Sequence, residues 1–390
     1  MEQSGDPESS TKAEIITRRA AGFVHAIKTR LFEMAFWKFY LMVLLIAMLQ
    51  NGVWYSPLAL QYWMMSTDIL HNPFVSQNNV EWVLSAFLGP ALAYFLHMNG
   101  SVLAYCILQL SIFLLGFTAL IFIIRRRNGD YIARCLLLVF FLSPLPNILF
   151  TSLGTPDVMT ALLAIAVAAF WEELPVVFVG SLLLGVNHPE QANLIVLLMV
   201  LFSLFTRRLR QSAGFALYAL GGLVLGEVLL QWFLSSHNFD IVFTRLDYVM
   251  GMGLGSFIES GLSEPFALLY SLFSLTLPFV VAYLLMFGRK NRIAPAFMLC
   301  SLIALASMLF AFDQTRVFSL MTFPLLCVLV LAPAFQRMQS SDAEFFKALL
   351  AASFIAGILI PRFVVWNGSV SSSVYPHILK FLHDQYGVFR

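Results

Sequence analysis

Residues 101–124 read Ser-Val-Leu-Ala-Tyr-Cys-Ile-Leu-Gln-Leu-Ser-Ile-Phe-Leu-Leu-Gly-Phe-Thr-Ala-Leu-Ile-Phe-Ile-Ile, and Arg125-Arg126-Arg127 follow at once. A helix needs about 20 predominantly apolar residues to cross a bilayer core, and this run has no charge in it. The arginine triplet marks one end, because Lys and Arg concentrate in the cytoplasmic loops of membrane proteins. Similar runs occupy 38–57, 131–150, 190–206, 213–235, 265–287, 294–312, 316–333 and 346–364. Two shorter ones lie at 157–171 and 175–186, and 82–98 fits either a span or a surface helix.

Composition agrees with that reading. The chain has 390 residues, 60% of them hydrophobic and 11% charged, against about 25% charged in soluble proteins. Its 38 phenylalanines exceed what a soluble core needs but suit lipid-facing helices. A net charge of +2 identifies no partner, and the basic stretches lack the patterning of a nucleic-acid surface. Cys106, Cys135, Cys300 and Cys327 all fall in apolar runs and read as small core residues, not as a disulfide framework or metal site. Residues 1–36 form a different unit, a polar start followed by a basic amphipathic helix with Arg18, Arg19, Lys28 and Arg30. Such a helix before a first span is a cytoplasmic membrane-surface element. The expected organisation is a head over 1–36, a transmembrane domain over 37–365 and a short tail over 366–390.

Charge decides the ambiguous segment. With 82–98 on the surface, the clusters at the N-terminus, 125–134, 207–210, 289–292 and 337–347 all fall on one side, placing 18 of the 23 basic residues in the cytoplasm. Counting 82–98 as a span would flip every later cluster. The expectation is therefore an all-α polytopic membrane protein with eleven spans, N-terminus inside and C-terminus outside. Residues 82–98 become an interfacial or re-entrant helix in the first outer loop. The short 175–186 segment is expected to break at Asn187-His188-Pro189, which is tolerated at membrane depth where a cavity is lined.

This topology gathers ionisable residues on the outer side, where they mark a functional site. Asp68 reads as a general base or as the N-cap of a surface helix over 69–72. Asp157, after Gly154-Thr155-Pro156, opens a span and either faces the same cavity or simply complements a helix N-terminus. In Asn187-His188-Pro189-Glu190-Gln191, His188, Glu190 and Gln191 suit a phosphate or sugar hydroxyl, or form a polar turn. Two of them are too few to define a metal site. Asp313-Gln314-Thr315-Arg316 offers Arg316 as a phosphate clamp, or an Asp313–Arg316 pair that closes the turn. Arg245 in the second long outer loop carries the same ambiguity, and His71 and Glu81 complete the candidate set. No phosphate-binding Gly-rich loop before a Lys, CxxC pair or HExxH motif occurs.

These motifs, in this order and on this side, resemble the GT-C superfamily of membrane glycosyltransferases. An acidic residue soon after span one leads into an interfacial helix, here Asp68 and 82–98. A second long outer loop follows span seven, here 236–264. Gly154-Thr155-Pro156-Asp157 resembles the Gly-x-Pro-Asp-like turn of many members, and Asp313-Gln314-Thr315-Arg316 resembles their Asp-x-x-Arg turn. The resemblance spans about residues 38–335. A single Asp stands in the first loop where some families have an acidic pair, and no soluble C-terminal domain follows.

The resemblance implies inverting transfer of a sugar from a polyprenyl-phosphate carrier to a lipid, glycan or protein acceptor, with Asp68 and Asp157 as catalytic carboxylates. It implies that His71, Glu81, His188, Glu190, Gln191, Arg245, Asp313 and Arg316 bind substrate. It requires no certain cofactor, with a divalent metal as an option. The site would face the periplasm from a bacterial inner membrane, or the lumen from the ER. A secondary transporter, a lipid flippase and a non-catalytic subunit of GT-C shape remain as alternatives. The topology predicts that cysteines placed at positions 71 and 188 react with an impermeant thiol reagent from outside intact cells. One placed at position 208 should react only after permeabilisation, and reversed labelling would overturn the assigned orientation.

Overall fold

The computed structural model describes residues 7–71, 73, 86–237, 251, 255, 258–259, 264–288, 291–308, 311, 313–366 and 369–372. Helix α1 (Pro7–Glu33) turns through 117° into α2 (Phe36–Asn51). Next come α3 (Ala59–Thr67), α4 (Leu88–Phe95) and α5 (Val102–Asn128). A bent pair follows, α6 (Asp130–Leu142) and α7 (Leu145–Thr151), with 66° between them. Helices α8 (Asp157–Ala169), α9 (Leu174–Asn187), α10 (Pro189–Thr206) and α11 (Leu209–Ser236) run back and forth. The last group is α12 (Pro265–Phe273), α13 (Leu277–Phe287), α14 (Ile293–Met308), α15 (Gln314–Leu331), α16 (Pro333–Gln336) and α17 (Ser340–Leu359). A hairpin of β1 (Phe363–Trp366) and β2 (Ser369–Ser372) pairs Phe363 with Ser372 and Trp366 with Ser369. One apolar core runs from Leu31 to Val365.

Among the described residues five helical segments, α5, α10, α11, α15 and α12–α13 taken together, are long and apolar enough to cross a bilayer, or seven if each bent pair crosses as one unit. Eleven crossings need α8, α9, α14 and α17 to cross as well. The first three have 13, 14 and 16 residues, and α17 carries Asp342, Glu344 and Lys347 in its first half. Other boundaries also differ from expectation. The run at 38–57 is helical only to Asn51, where Gly52 takes φ 73°, and residues 54–56 instead hydrogen-bond to 150–153. The run at 346–364 ends its helix at Leu359 and continues as a strand, so a hairpin stands where the tail was expected. Of 82–98, the described part holds only the eight-residue α4.

Helix breaks free backbone carbonyls that need donors, and buried arginines provide them. Arg362 Nη2 donates to Phe141 O at 2.7 Å and Nη1 to Leu142 O at 2.8 Å, at the α6–α7 break. Ser274, held at φ 47°, accepts a further bond from Arg362 Nη1. Arg134 does the same for the end of α1, donating to Leu31 O at 2.7 Å and Met34 O at 2.6 Å.

Helices α9 and α11 approach until backbones touch. A Cβ on Gly222 would lie 2.3 Å from Phe178 O, and one on Gly226 2.2 Å from Leu182 O. Gly222 and Gly226 form a Gly-x-x-x-Gly pair, the pattern that lets apolar helices pack at close range. Gly226→Val is expected to lower the thermal unfolding midpoint in detergent, at a cost of about 1–3 kcal/mol. Gly221→Val, whose Cβ would meet only a Phe178 ring atom at 3.9 Å, should change little. Equal midpoints would show that this contact does not hold the pair together.

Candidate active site

The turn before α8 is shaped by its neighbours. Trp54 N donates to Phe150 O at 2.8 Å, Leu153 N to Trp54 O at 3.1 Å and Ser56 N to Leu153 O at 3.0 Å. This brings the start of α3 against Gly154, which sits at φ 85°. A Cβ there would lie 2.4 Å from the Ala59 Cβ, so only glycine meets both the backbone angle and the packing. The Thr155 hydroxyl lies 2.7 Å from Ser152 O and 3.0 Å from Asp157 Oδ2. Pro156 then leads into α8, with Asp157 as its first residue.

Asp157 is 1% exposed and meets Arg316 from the first turn of α15, with Oδ2 3.2 Å from Nη1. The Nε of Arg316 lies 2.8 Å from Asp313 Oδ2. One guanidinium therefore joins two carboxylates. The first turn of α10 reaches the same place, as Gln191 Nε2 lies 3.4 Å from Val317 O. The C-terminal residue of α9 completes the corner, Asn187 Nδ2 donating to Pro156 O and Thr160 Oγ1, both at 3.0 Å. Three helices thus bring their N-terminal turns together, and each contributes the positive end of its dipole. Asp157 Oδ1 and both amide atoms of the fully buried Gln314 have no hydrogen-bond partner among the described residues. Buried polar atoms are usually paired, and these three leave hydrogen-bonding capacity beside the ion cluster. Tyr62 of α3 lies close enough to Arg316 to feel its charge.

The structure thus brings together Asp157, Asp313, Arg316 and Gln191, and both sequence readings of Arg316 hold in part. It pairs with Asp313 as a turn closure would, but also reaches Asp157 across the fold. Asp68 is placed apart from this cluster, paired with His71 Nδ1 at 2.9 Å, and both side chains are exposed. Asp68 follows the end of α3, and the described residues 69–71 after it form a turn. His188 joins α9 to α10, and Glu190 lies in the first turn of α10, both half-buried. Glu81 and Arg245 lie outside the described residues. Sequence reasoning passed over Thr155, Asn187, Gln314 and Tyr62. The first three sit inside motifs already singled out, whereas nothing local flags Tyr62.

As for a divalent metal, no three His, Cys, Asp or Glu side chains gather to hold one among the described residues. The guanidinium of Arg316 already stands between Asp157 and Asp313, where a bridging cation would have to sit. The described residues do not fit a metal at this cluster.

No family model matches the chain, and no curated protein matches it in sequence. Among solved structures it is similar to the arabinofuranosyltransferase AftD from Mycobacteria, at 15% identity and a TM-score of 0.46. The likeness covers 89% of this chain and 28% of that one, so the chain spans well under half the length of its structural neighbour.

Gly154→Ala is expected to push α3 away from the Asp157 turn and destabilise the fold by about 1–3 kcal/mol. Gly100→Ala, with open space around it, should be silent in the same thermal scan. Equal midpoints for the two variants would show that the turn tolerates displacement of α3.

Proposed function

We propose that the chain is a membrane glycosyltransferase of GT-C type that takes its sugar from a polyprenyl-phosphate carrier on the outer face. The observation that carries this reading is the Asp157–Arg316–Asp313 cluster, with Asp157 buried and the other two half-buried, where the first turns of α8, α10 and α15 meet. Helix N-termini and a guanidinium attract a phosphate. Two carboxylates hold that guanidinium fixed, as an electrostatic site for a developing charge requires.

In this reading the carrier phosphate lies against Arg316. The sugar extends from Arg316 towards Asp68, which follows the end of α3. The acceptor hydroxyl attacks the anomeric carbon, and Asp68 takes its proton. The bond from that carbon to the phosphate oxygen breaks, and the phosphate leaves with the electron pair onto Arg316. His71 orients Asp68, while His188, Glu190 and Gln191 hold sugar hydroxyls. The alternative, a transporter of a polar lipid, draws on Glu227, which accepts a hydrogen bond from Asn193 within the helical bundle.

The test offers purified protein in nanodiscs a panel of polyprenyl-phosphate sugars with candidate acceptors. Wild type should release sugar from at least one carrier. Arg316→Gln should lower turnover by about 10²–10³-fold and Asp68→Asn by about 10²–10⁴-fold. Full activity in Asp68→Asn would move the proton acceptor to Asp157. Folded wild type that consumes no carrier, but moves lipid across the membrane in a Glu227-dependent way, would replace this reading with the transporter.

A further inference from the structure

At the opposite end of the bundle the turns between α8 and α9 and between α10 and α11 meet around one arginine. Arg207 follows α10, and its side chain is only 10% exposed. Its guanidinium carbon stands 3.5 Å from the centre of the Trp171 ring, and Nη1 donates to Trp171 O at 3.2 Å. Among the described residues Nη2 makes no hydrogen bond, and its ion-pair partner there, Glu172 Oε1, is 3.6 Å away on a side chain that is 83% exposed. Burial draws this guanidinium below its ordinary pKa, with Glu172 acting in the opposite direction. A buried cation held rigidly by a ring and a carbonyl, with one nitrogen unspent, is prepared for an anion it has not met.

A cleft of about 370 Å³ opens beside it, lined by Glu172, Leu174, Arg207, Arg210, Gln211 and Gly214. Phe205 and Leu209, which flank the turn that bears Arg207, are exposed apolar side chains. We infer that this cleft binds a phosphoryl group, with Arg207 and Arg210 as its donors, and that the group is carried by an anionic amphiphile at the membrane surface. The exposed Phe205 and Leu209 favour a lipid over a soluble phosphate, because acyl chains can cover them. Basic pockets at the cytoplasmic ends of helices are known homes of anionic headgroups. Glu172 competes for the same nitrogen, and its exposure lets it swing aside when the phosphate arrives.

The experiment uses full-length protein purified in detergent. Retention of phosphatidylglycerol against phosphatidylcholine is measured by native mass spectrometry, with thermal shift in inorganic phosphate as a second arm. Wild type should retain phosphatidylglycerol. Arg207→Gln should weaken this about tenfold, the loss of one charge-assisted hydrogen bond. Gly214→Phe, which fills the cleft without touching an arginine, should do the same while keeping the wild-type melting point. Glu172→Gln should tighten retention. Stabilisation by inorganic phosphate that Arg207→Gln abolishes, with no lipid retained, would keep the phosphoryl site and assign it to a soluble ligand. Equal weakening by Arg208→Gln, whose side chain lies outside the cleft, would reduce the effect to general surface charge and overturn the site. So would the absence of any response to lipid or phosphate.

Discussion

A guanidinium donating into a broken helix end is the interaction on which this architecture rests. In an apolar bundle a carbonyl freed at a break has no water to turn to, and each one left unpaired costs several kcal/mol. Arg362 closes the carbonyls of Phe141 and Leu142, where α6 stops and α7 departs at 66°. Arg134 closes Leu31 and Met34, where α1 swings through 117° into α2. Both bends persist because each charge is compensated where it sits, Arg362 by carbonyl dipoles and the Ser274 hydroxyl and Arg134 by carbonyl dipoles and the Asp130 carboxylate, with phenylalanine faces against both.

The candidate site repeats this logic with the opposite helix ends. Asn187 pairs the Pro156 carbonyl ahead of α8, and the dipoles of α8, α10 and α15 converge to create a positive field. Into that field the fold sets two carboxylates and one arginine. Burying an ion pair seldom stabilises a protein, since desolvation offsets the Coulomb gain. A cluster of three such groups with further unpaired polar atoms around it is therefore better explained by chemistry than by stability. The close α9–α11 contact serves the same corner, because it fixes the helix whose last residue is Asn187.

Helices α3, α4 and α11 form a second small packing unit. Met65 and Ile69 meet Ala91, Leu230 and Leu234, and Phe87 lies 4.3 Å from Phe233 between ring centres. His237 Nε2 lies 3.0 Å from Leu70 O, tying the end of α11 to the turn that bears Asp68 and His71. Asn99, whose Asn-x-Ser sequence looks like a glycosylation site, donates to Ser66 O at 2.8 Å and so helps hold α3 in place. Asp68 is thus presented by a packed helix, apart from the buried cluster but on an element that touches it.

The sequence by itself determined the class. Apolar run length and the placement of arginines are one-dimensional properties that the bilayer reads directly. They sufficed for a helical membrane protein with most ionisable side chains at the two helix-end faces. They also singled out Asp157, Gln191, Asp313 and Arg316, because short polar turns between apolar runs need a reason to be polar. Only the tertiary structure decided which of these meet. Asp157 and Arg316 are 159 positions apart, and no local pattern specifies that α8 and α15 start side by side. The tertiary structure also set where helices end. Gly52, Ser143-Pro144 and Ile360 stop apolar runs that hydropathy alone would continue, and the residues beyond them form the bridge to 150–153, the α7 bend and the strands 363–366 and 369–372. Backbone termination depends on which donors lie across the interior. Arg362 reaches its carbonyl partners from 220 and 221 residues away, so that part of the answer exists only once the chain has folded.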